Sequence, residues 1–168
     1  MSRRFSSLLA LVTGALCAAL LAAPAAAAPT GVQAEIDAVI AQHGGKQISA
    51  TEVSWNGGAV VLSVVMPHGV SAAAVEGCAD GAYCFYQHQN FGGRKLTFRD
   101  CTVAGLRQNL YDYGFDNMTT SWVANKSLRL VDVFHGTNTR LWQERAHAKS
   151  SNVGTADNDK ADWFRCYL

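Results

Sequence analysis

The stretch Tyr86-Gln87-His88-Gln89-Asn90-Phe91-Gly92-Gly93 decides the fold of this chain. Its two aromatic residues, Tyr86 and Phe91, are separated by four residues, and Gly93 follows the second aromatic after one further residue. This spacing is typical of a β-hairpin that folds over, so that Tyr86 packs on its own turn. We expect Gly93 to adopt a backbone angle that residues with a Cβ avoid.

A second motif, Asp116-Asn117-Met118-Thr119-Thr120-Ser121, lies downstream of this hairpin. It has two Asn or Asp residues, two variable residues, and then two hydroxyl residues. Together the two motifs resemble one Greek-key half of a βγ-crystallin, and in that superfamily the second motif can ligate calcium.

A second half follows in degraded form. Residues 134–139 keep the first aromatic but place Thr139 where the second aromatic belongs. The stretch Asn158-Asp159-Lys160-Ala161-Asp162-Trp163 begins like the calcium motif and lacks both hydroxyls, and the motif could equally open at Asp157. The resemblance therefore implies a domain of two motifs, of which the second is approximate.

Short strand-like runs separated by turn residues fill the rest of the C-terminal part, which indicates an all-β sandwich or barrel. We expect strands over residues 82–86, 94–99, 121–123, 128–134, 140–143 and 163–167. The fold class is therefore predicted as mainly β: a βγ-crystallin-like Greek-key sandwich over residues 77–168, with a small helix-plus-hairpin segment before it.

That N-terminal segment covers residues 28–76. The apolar residues Val32, Ile36, Val39 and Ile40 form the stripe of an amphipathic helix, which Gly44-Gly45 should end. Residues 48–55 and 59–66 are expected to form a hairpin around a turn at Asn56-Gly57-Gly58. One helix and one hairpin bury too little surface to be stable alone. The segment must either pack on the following domain or be a pro-region that is removed.

Residues 1–27 have the three parts of a secretory signal: Arg3 and Arg4, an apolar core, and an alanine-rich end. We therefore expect a secreted, extracellular protein with no membrane attachment after cleavage. The formal charge of +1, from 14 basic and 13 acidic residues, gives no indication of nucleic-acid binding.

Four cysteines remain after the signal, and in an exported chain they predict two disulfides. We expect Cys78–Cys84, which flanks a short turn at Gly81, and Cys101–Cys166, which would tie the C-terminus to the sheet. The pairing of Cys78 with Cys101 and of Cys84 with Cys166 stays open.

The whole arrangement resembles the secreted bacterial peptidase inhibitors of the SMPI type. The resemblance rests on the signal, on residues 48–58, on Cys78-x5-Cys84 running into the hairpin, and on Tyr113-Gly114-Phe115-Asp116-Asn117. It implies a monomeric inhibitor of extracellular peptidases, with metalloproteases of the thermolysin type as targets. The alternative is a non-inhibitory binding or antimicrobial module of the killer-toxin-like kind.

An enzyme is not expected, because the chain contains no H-E-x-x-H, G-x-S-x-G, P-loop or G-x-G-x-x-G motif. An inhibitor needs an exposed, tethered loop that presents an apolar side chain. We predict this loop at Cys101, Thr102, Val103 and Leu106, and residues 134–140 are the second candidate.

No cofactor is required, but calcium is an open alternative. The motif would offer the side chain of Asp116 or Asn117, a carbonyl near Met118, and the hydroxyls of Thr120 and Ser121. Calcium prefers six to eight oxygen ligands, and the second half lacks its hydroxyls. We therefore expect a structural turn and at most weak calcium binding.

Overall fold

The structure, a computed structural model, describes residues 30–64, 76–99, 105–127 and 130–167. The predicted signal at residues 1–27 lies outside these ranges. One α-helix precedes eleven strands in the described residues. They are α1 (Thr30–His43), β1 (Lys46–Ser49), β2 (Glu52–Trp55), β3 (Val60–Ser63), β4 (Ala82–His88), β5 (Gly92–Phe98), β6 (Gln108–Asn109), β7 (Ser121–Asn125), β8 (Leu130–His135), β9 (Thr139–Arg145), β10 (Lys149–Ser150) and β11 (Trp163–Tyr167).

The strands form two antiparallel sheets that exchange one strand in each direction. One sheet has the order β1-β2-β3-β5-β4-β7-β10, and the other has the order β6-β11-β8-β9. The strands β4 to β7 make the first Greek-key motif and β8 to β11 the second. The third strand of each motif, β6 or β10, lies at the edge of the other motif's sheet. This exchange ties the two halves together.

The hairpin predicted at Tyr86 and Phe91 is confirmed. The rings of Tyr86 and Phe91 meet edge to face at 5.6 Å, and Tyr86 is fully buried. Gly93 has a φ of +74°, and a Cβ there would lie 2.6 Å from Cδ2 of His88. The turn therefore requires glycine for its backbone angle and for the close approach of the His88 ring.

The N-terminal segment differs in one respect from the predicted hairpin. The run expected as one strand over residues 48–55 is broken by a turn at Ala50 and Thr51, so the segment has three strands. The register of β1 and β2 shifts between Gln47 and Ser49. The break coincides with a change of phase in the sequence, since apolar residues stand at positions 48 and 50 and then at 53 and 55.

The N-terminal segment packs on the domain that follows it. β3 pairs along β5 from Val60 opposite Phe98 to Ser63 opposite Lys95. Ile36 of α1 joins the common core, and Glu35 forms an ion pair of 3.2 Å with Nε of Arg94. The packing alternative that the sequence left open is thus realised in this chain, whereas removal of residues 28–76 after export stays a prediction.

Aromatic residues from both sheets form the centre of the core. Phe164 of β11 lies 4.6 Å from Phe98 and 5.1 Å from Phe85, measured between ring centroids. All three rings are at most 1% exposed. This cluster is where the two Greek-key motifs meet, so it holds the sandwich together.

The disulfide between Cys78 and Cys84 is confirmed, with Cα atoms 5.9 Å apart. The alternative pairing that joined each of these cysteines to a later one is therefore excluded. Cys166 is also disulfide-bonded. Its expected partner, Cys101, lies outside the described residues, so the bond between these two stays a prediction.

We expect the double substitution Cys78→Ala and Cys84→Ala to lower the free energy of unfolding by about 2 kcal/mol. The bond closes a short loop, with a sequence separation of 6, so the unfolded chain gains little freedom when it is lost. Urea unfolding of the two proteins would measure the difference. A loss well above this value would show that packing at the buried cysteines dominates.

Candidate functional site

The two hydroxyls of the calcium motif hold the folded hairpin. The Thr120 hydroxyl donates to the carbonyl of Gln87 at 2.8 Å, and the Ser121 hydroxyl donates to the carbonyl of His88 at 2.6 Å. Oγ of Ser121 also accepts from the amide of Phe91 at 3.1 Å. Ser121 is completely buried, so its side chain is a structural tie between β7 and the hairpin.

The five residues that the sequence assigned to one calcium site are divided between separate places. Thr120 lines an open depression together with Gln87 and Asp159. Asp116 lines two other depressions, one of which also holds Asp162.

The remaining members of the set have other contacts. Nδ2 of Asn117 donates to the carboxylate of Asp116 at 3.2 Å. Sδ of Met118 lies 3.6 Å from Nη1 of Arg94. Neither contact places the side chain of Asn117 or Met118 beside Thr120.

The calcium motif and its degraded copy in the second half make equivalent backbone contacts with each other. The amide of Asn117 donates to the carbonyl of Ala161, and the amide of Asp159 donates to the carbonyl of Thr119. Asn117 and Asp159 both have a φ of +54°. The degraded motif therefore begins at Asn158, which corresponds to Asp116. A beginning at Asp157 would not align Asp159 with Asn117.

Asp162 occupies the position in the second half that Thr120 occupies in the first. Its amide donates to the carbonyl of Phe134 at 2.9 Å, just as the amide of Thr120 donates to Tyr86. Its carboxylate accepts from the amide of Gly136 at 2.6 Å and lies 3.0 Å from Nδ1 of His135. A carboxylate thus replaces the missing hydroxyl and secures the second hairpin.

The oxygen atoms beside Thr120 fit a cation only in part. Oδ1 of Asp159 lies 3.5 Å from the Thr120 hydroxyl, and the Gln87 carbonyl lies 2.8 Å from it. Within the described ranges, no group of three or more His, Cys, Asp or Glu side chains is placed to hold a metal ion. Calcium would need further carbonyl or water oxygens to complete its coordination.

We expect calcium to bind at most weakly, with a dissociation constant of about 10⁻⁴ M or weaker, as in extracellular modules. Asp159→Asn should weaken this binding further, because it removes the carboxylate beside Thr120. The matched control Asp80→Asn changes an exposed carboxylate outside this depression and should leave calcium binding unchanged. Isothermal calorimetry that finds two tight sites would contradict this expectation.

One residue of the predicted inhibitory loop can be placed. Leu106 is 53% exposed, whereas Cys101, Thr102 and Val103 lie outside the described residues. The backbone is held on both sides of Leu106: the amide of Gly105 donates to the carbonyl of Cys166 at 2.8 Å, and Gln108 pairs with Phe164 of β11. The guanidinium of Arg107 lies 4.5 Å from the centre of the Trp163 ring. Leu106 is thus an exposed apolar side chain on a tethered backbone.

Sequence reasoning missed Tyr111, which is 64% exposed. Tyr111 and Arg107 line the same depression, so this ring lies near the segment that carries Leu106. The ring packs edge to face on His43 at 5.4 Å. Tyr111 stands between Leu110 and Asp112, and the sequence alone does not distinguish its exposed ring from the buried ring of Tyr113.

The second candidate loop, residues 134–140, is less free than the sequence suggested. Phe134 is 4% exposed and stacks on Trp163, with centroids 4.0 Å apart and an interplanar angle of 8°. The indole of Trp163 also donates to the carbonyl of Gly136 at 2.8 Å. This hairpin is therefore packed on the sheet, and Trp163 stacks on Phe134 where the sequence lacks the second aromatic.

Comparison with known families finds a match over part of the chain. Residues 71–147 match peptidase inhibitor family I36. This match supports a peptidase-inhibitor role with a peptidase as partner, and it confirms the resemblance that the hairpin and cysteine spacing indicated. It also supports a non-enzymatic protein, as the absence of catalytic motifs led us to expect. No curated protein sequence matches the chain.

Solved structures of βγ-crystallin domains are similar to this chain. A domain from Clostridium beijerinckii is 22% identical, with a TM-score of 0.41, and the match covers 51% of this chain and 97% of that one. A clostrillin double mutant in complex with nickel is also 22% identical, with a TM-score of 0.40 over 52% and 98% of the two chains.

A third structure, described as "Evolution of the eye lens beta-gamma-crystallin domain fold", is 15% identical with a TM-score of 0.46. It covers 65% of this chain and 97% of that chain. The strands of this chain confirm the predicted mainly β architecture of two sheets, with β6 and β10 exchanged between them.

Proposed function

We propose that the chain is a secreted, monomeric inhibitor whose targets are extracellular metallopeptidases of the thermolysin type. The match to an inhibitor family supports the inhibitory role. The thermolysin-type target rests on the resemblance of the whole arrangement to SMPI-type inhibitors. The observation that carries the proposal is the exposed Leu106 on a backbone held from both sides.

The physical argument concerns the entropy of binding. A flexible loop loses conformational freedom when a peptidase closes on it, and this loss weakens binding. The hydrogen bond from Gly105 to Cys166 and the pairing of β6 with β11 order the segment in advance. A thermolysin-like pocket takes an apolar side chain, and Leu106 offers one to solvent.

Secretion is supported by the cysteine chemistry. The bond between Cys78 and Cys84, together with the bonded state of Cys166, suits an oxidising compartment. Among the described residues, no helix combines the length and the hydrophobicity that crossing a bilayer requires. The predicted signal at residues 1–27 would direct the export.

We expect Leu106→Asp to raise the inhibition constant against thermolysin by about 100-fold, because a buried apolar anchor typically contributes more than 2 kcal/mol to an interface. Ile48→Asp is the matched control: Ile48 is 52% exposed and lies on β1 of the other sheet. Titration of peptidase activity with each variant gives the inhibition constants, and thermal unfolding shows that each variant is folded.

The same titration against subtilisin and papain separates metallopeptidases from serine and cysteine peptidases. Inhibition of subtilisin or papain alone would contradict the proposed target class. Equal inhibition by Leu106→Asp and Ile48→Asp would show that Leu106 is not the anchor. Failure of the unaltered protein to inhibit any of the three would favour the non-inhibitory binding module.

A further inference from the structure

The outer face of the four-stranded sheet is rich in arginine. Phe164 and Val133 belong to the core, so the residues that alternate with them along β11 and β8 face outward. Along β9 the buried Glu144 sets Gln143 and Arg145 outward, and the register shift between Val133 and Phe134 brings Arg140 opposite the outward Phe134. The outward residues that matter here are Asp132, Phe134, Arg140, Arg145, Trp163 and Arg165. With Arg107, which precedes β6, the four arginines form what we call the basic face.

Two of these arginines cover an aromatic pair. Phe134 and Trp163 are stacked on the outward side of the sheet, yet each is only 4% exposed. The guanidinium of Arg107 lies 4.5 Å from the centre of the Trp163 ring, and that of Arg165 lies 4.8 Å from the centre of the Phe134 ring. The ring faces are therefore not available for stacking sugars or nucleotide bases, which need an open aromatic surface.

The stacking orients the guanidinium groups for binding to a partner. Arg165 also lies 5.5 Å from the ring centre of Tyr167, so rings flank it on two sides. A planar guanidinium held over a ring keeps the N–H groups at its edge, where they can bind a carboxylate. Holding the side chain in this way lowers the entropy that it would lose on binding.

Away from Arg107, the basic face has little negative charge of its own. Asp132 is the one carboxylate among its outward residues, and the side chain of Asp132 is only 9% exposed. The Asp132 carboxylate already accepts from Nε2 of Gln143 at 2.8 Å and lies 3.7 Å from Nη1 of Arg140. Arg140, Arg145 and Arg165 therefore stand against one carboxylate that is engaged within the sheet, whereas Arg107 shares its depression with Asp112, Asp116 and Asp162.

We propose that the basic face meets an acidic surface of the target peptidase and steers the inhibitor onto it, which rests on the function proposed above. A protein surface suits this face because arginine is enriched at protein interfaces, whereas the covered rings remove the stacking that other ligands need. Complementary charge acts mainly on the rate of association, which it raises about 10-fold or more at low salt.

The experiment measures association and dissociation rates with thermolysin for the full chain, at about 20 mM and about 300 mM salt. We expect the double variant Arg140→Gln and Arg145→Gln to associate about 10-fold more slowly than the unaltered protein at low salt. The two rates should converge at high salt, where the charges are screened, and the dissociation rates should stay similar. Neither arginine stacks on the Phe134 and Trp163 pair, so the fold should persist.

The control variant Lys46→Gln and Lys126→Gln removes the same charge at the other sheet, where Lys46 lies on β1 and Lys126 directly follows β7, and it should associate at the unaltered rate. Equal slowing of both double variants would indicate a net-charge effect and overturn the proposal. The proposal would also be overturned if the unaltered protein inhibits and the arginine variant associates equally fast at low salt. If the unaltered protein were then retained on immobilised heparin in a salt-sensitive way, the basic face would be assigned to an anionic polymer instead. If the unaltered protein fails to inhibit, the proposed function falls and this inference falls with it.

Discussion

Replacing Phe164 by alanine is expected to lower the free energy of unfolding by about 3–5 kcal/mol. Phe164 has no exposed surface and contacts Tyr83, Phe85 and Phe98, with ring centroids 4.6–5.5 Å away. It belongs to one sheet and these three rings belong to the other. The substitution therefore leaves a cavity at the contact between the sheets, which the neighbouring rings cannot fill by small shifts.

Urea unfolding followed by tryptophan fluorescence would measure this loss. The matched control is Tyr111→Ala, which removes an aromatic ring that is 64% exposed and should change stability by less than about 1 kcal/mol. If Phe164→Ala costs no more than the control, the two sheets do not share the core described here.

The second large effect concerns Glu144, which is 1% exposed on the inner side of β9. The indole of Trp142 donates to one carboxyl oxygen, whereas the other oxygen has no hydrogen-bond partner in the described part of the chain. Burial raises the pKa of this carboxyl well above its usual range, and the neighbouring Tyr83 hydroxyl and Trp142 indole offset only part of this effect. Burial likewise raises the pKa of Tyr83.

The pH dependence follows from the sign of the shift. The folded state binds the proton of Glu144 more tightly than the unfolded state, in which the pKa is about 4.3. This contribution to stability is complete below that pH and is lost as the pH rises through the raised folded pKa. The loss amounts to about 1.4 kcal/mol for each pH unit until the folded state also ionises.

We therefore expect Glu144→Gln to match the unaltered protein near pH 4 and to be increasingly more stable at higher pH, because the amide carries no charge to bury. Calorimetric unfolding at about pH 4, 6 and 8 would show the divergence. The control Asp80→Asn changes an exposed carboxylate and should run parallel to the unaltered protein. A Glu144→Gln variant that is less stable at pH 8 would contradict a protonated Glu144.

The candidate site could be predicted only in part. The sequence pointed to Leu106 because it follows Cys101, for which a disulfide is predicted, and lies in a stretch without strand character. Its exposure is observed, and its role as an anchor stays a prediction. The basic face could not be found, because its arginines lie far apart in the sequence and are brought together by the pairing of β6, β11, β8 and β9. Glu144 was likewise missed, since a charged residue in an alternating strand normally faces solvent.

The sequence by itself determined the folded hairpin and the Cys78–Cys84 bond, because both depend on residues close together in the chain. Tyr86, Phe91 and Gly93 belong to one turn, and their spacing in the sequence is sufficient to predict how this turn folds. Only the tertiary structure decided that β6 and β10 exchange sheets, and that Asp116 and Thr120 line different depressions. Two-residue strands have no pattern of their own, and they form only where a distant edge offers hydrogen bonds.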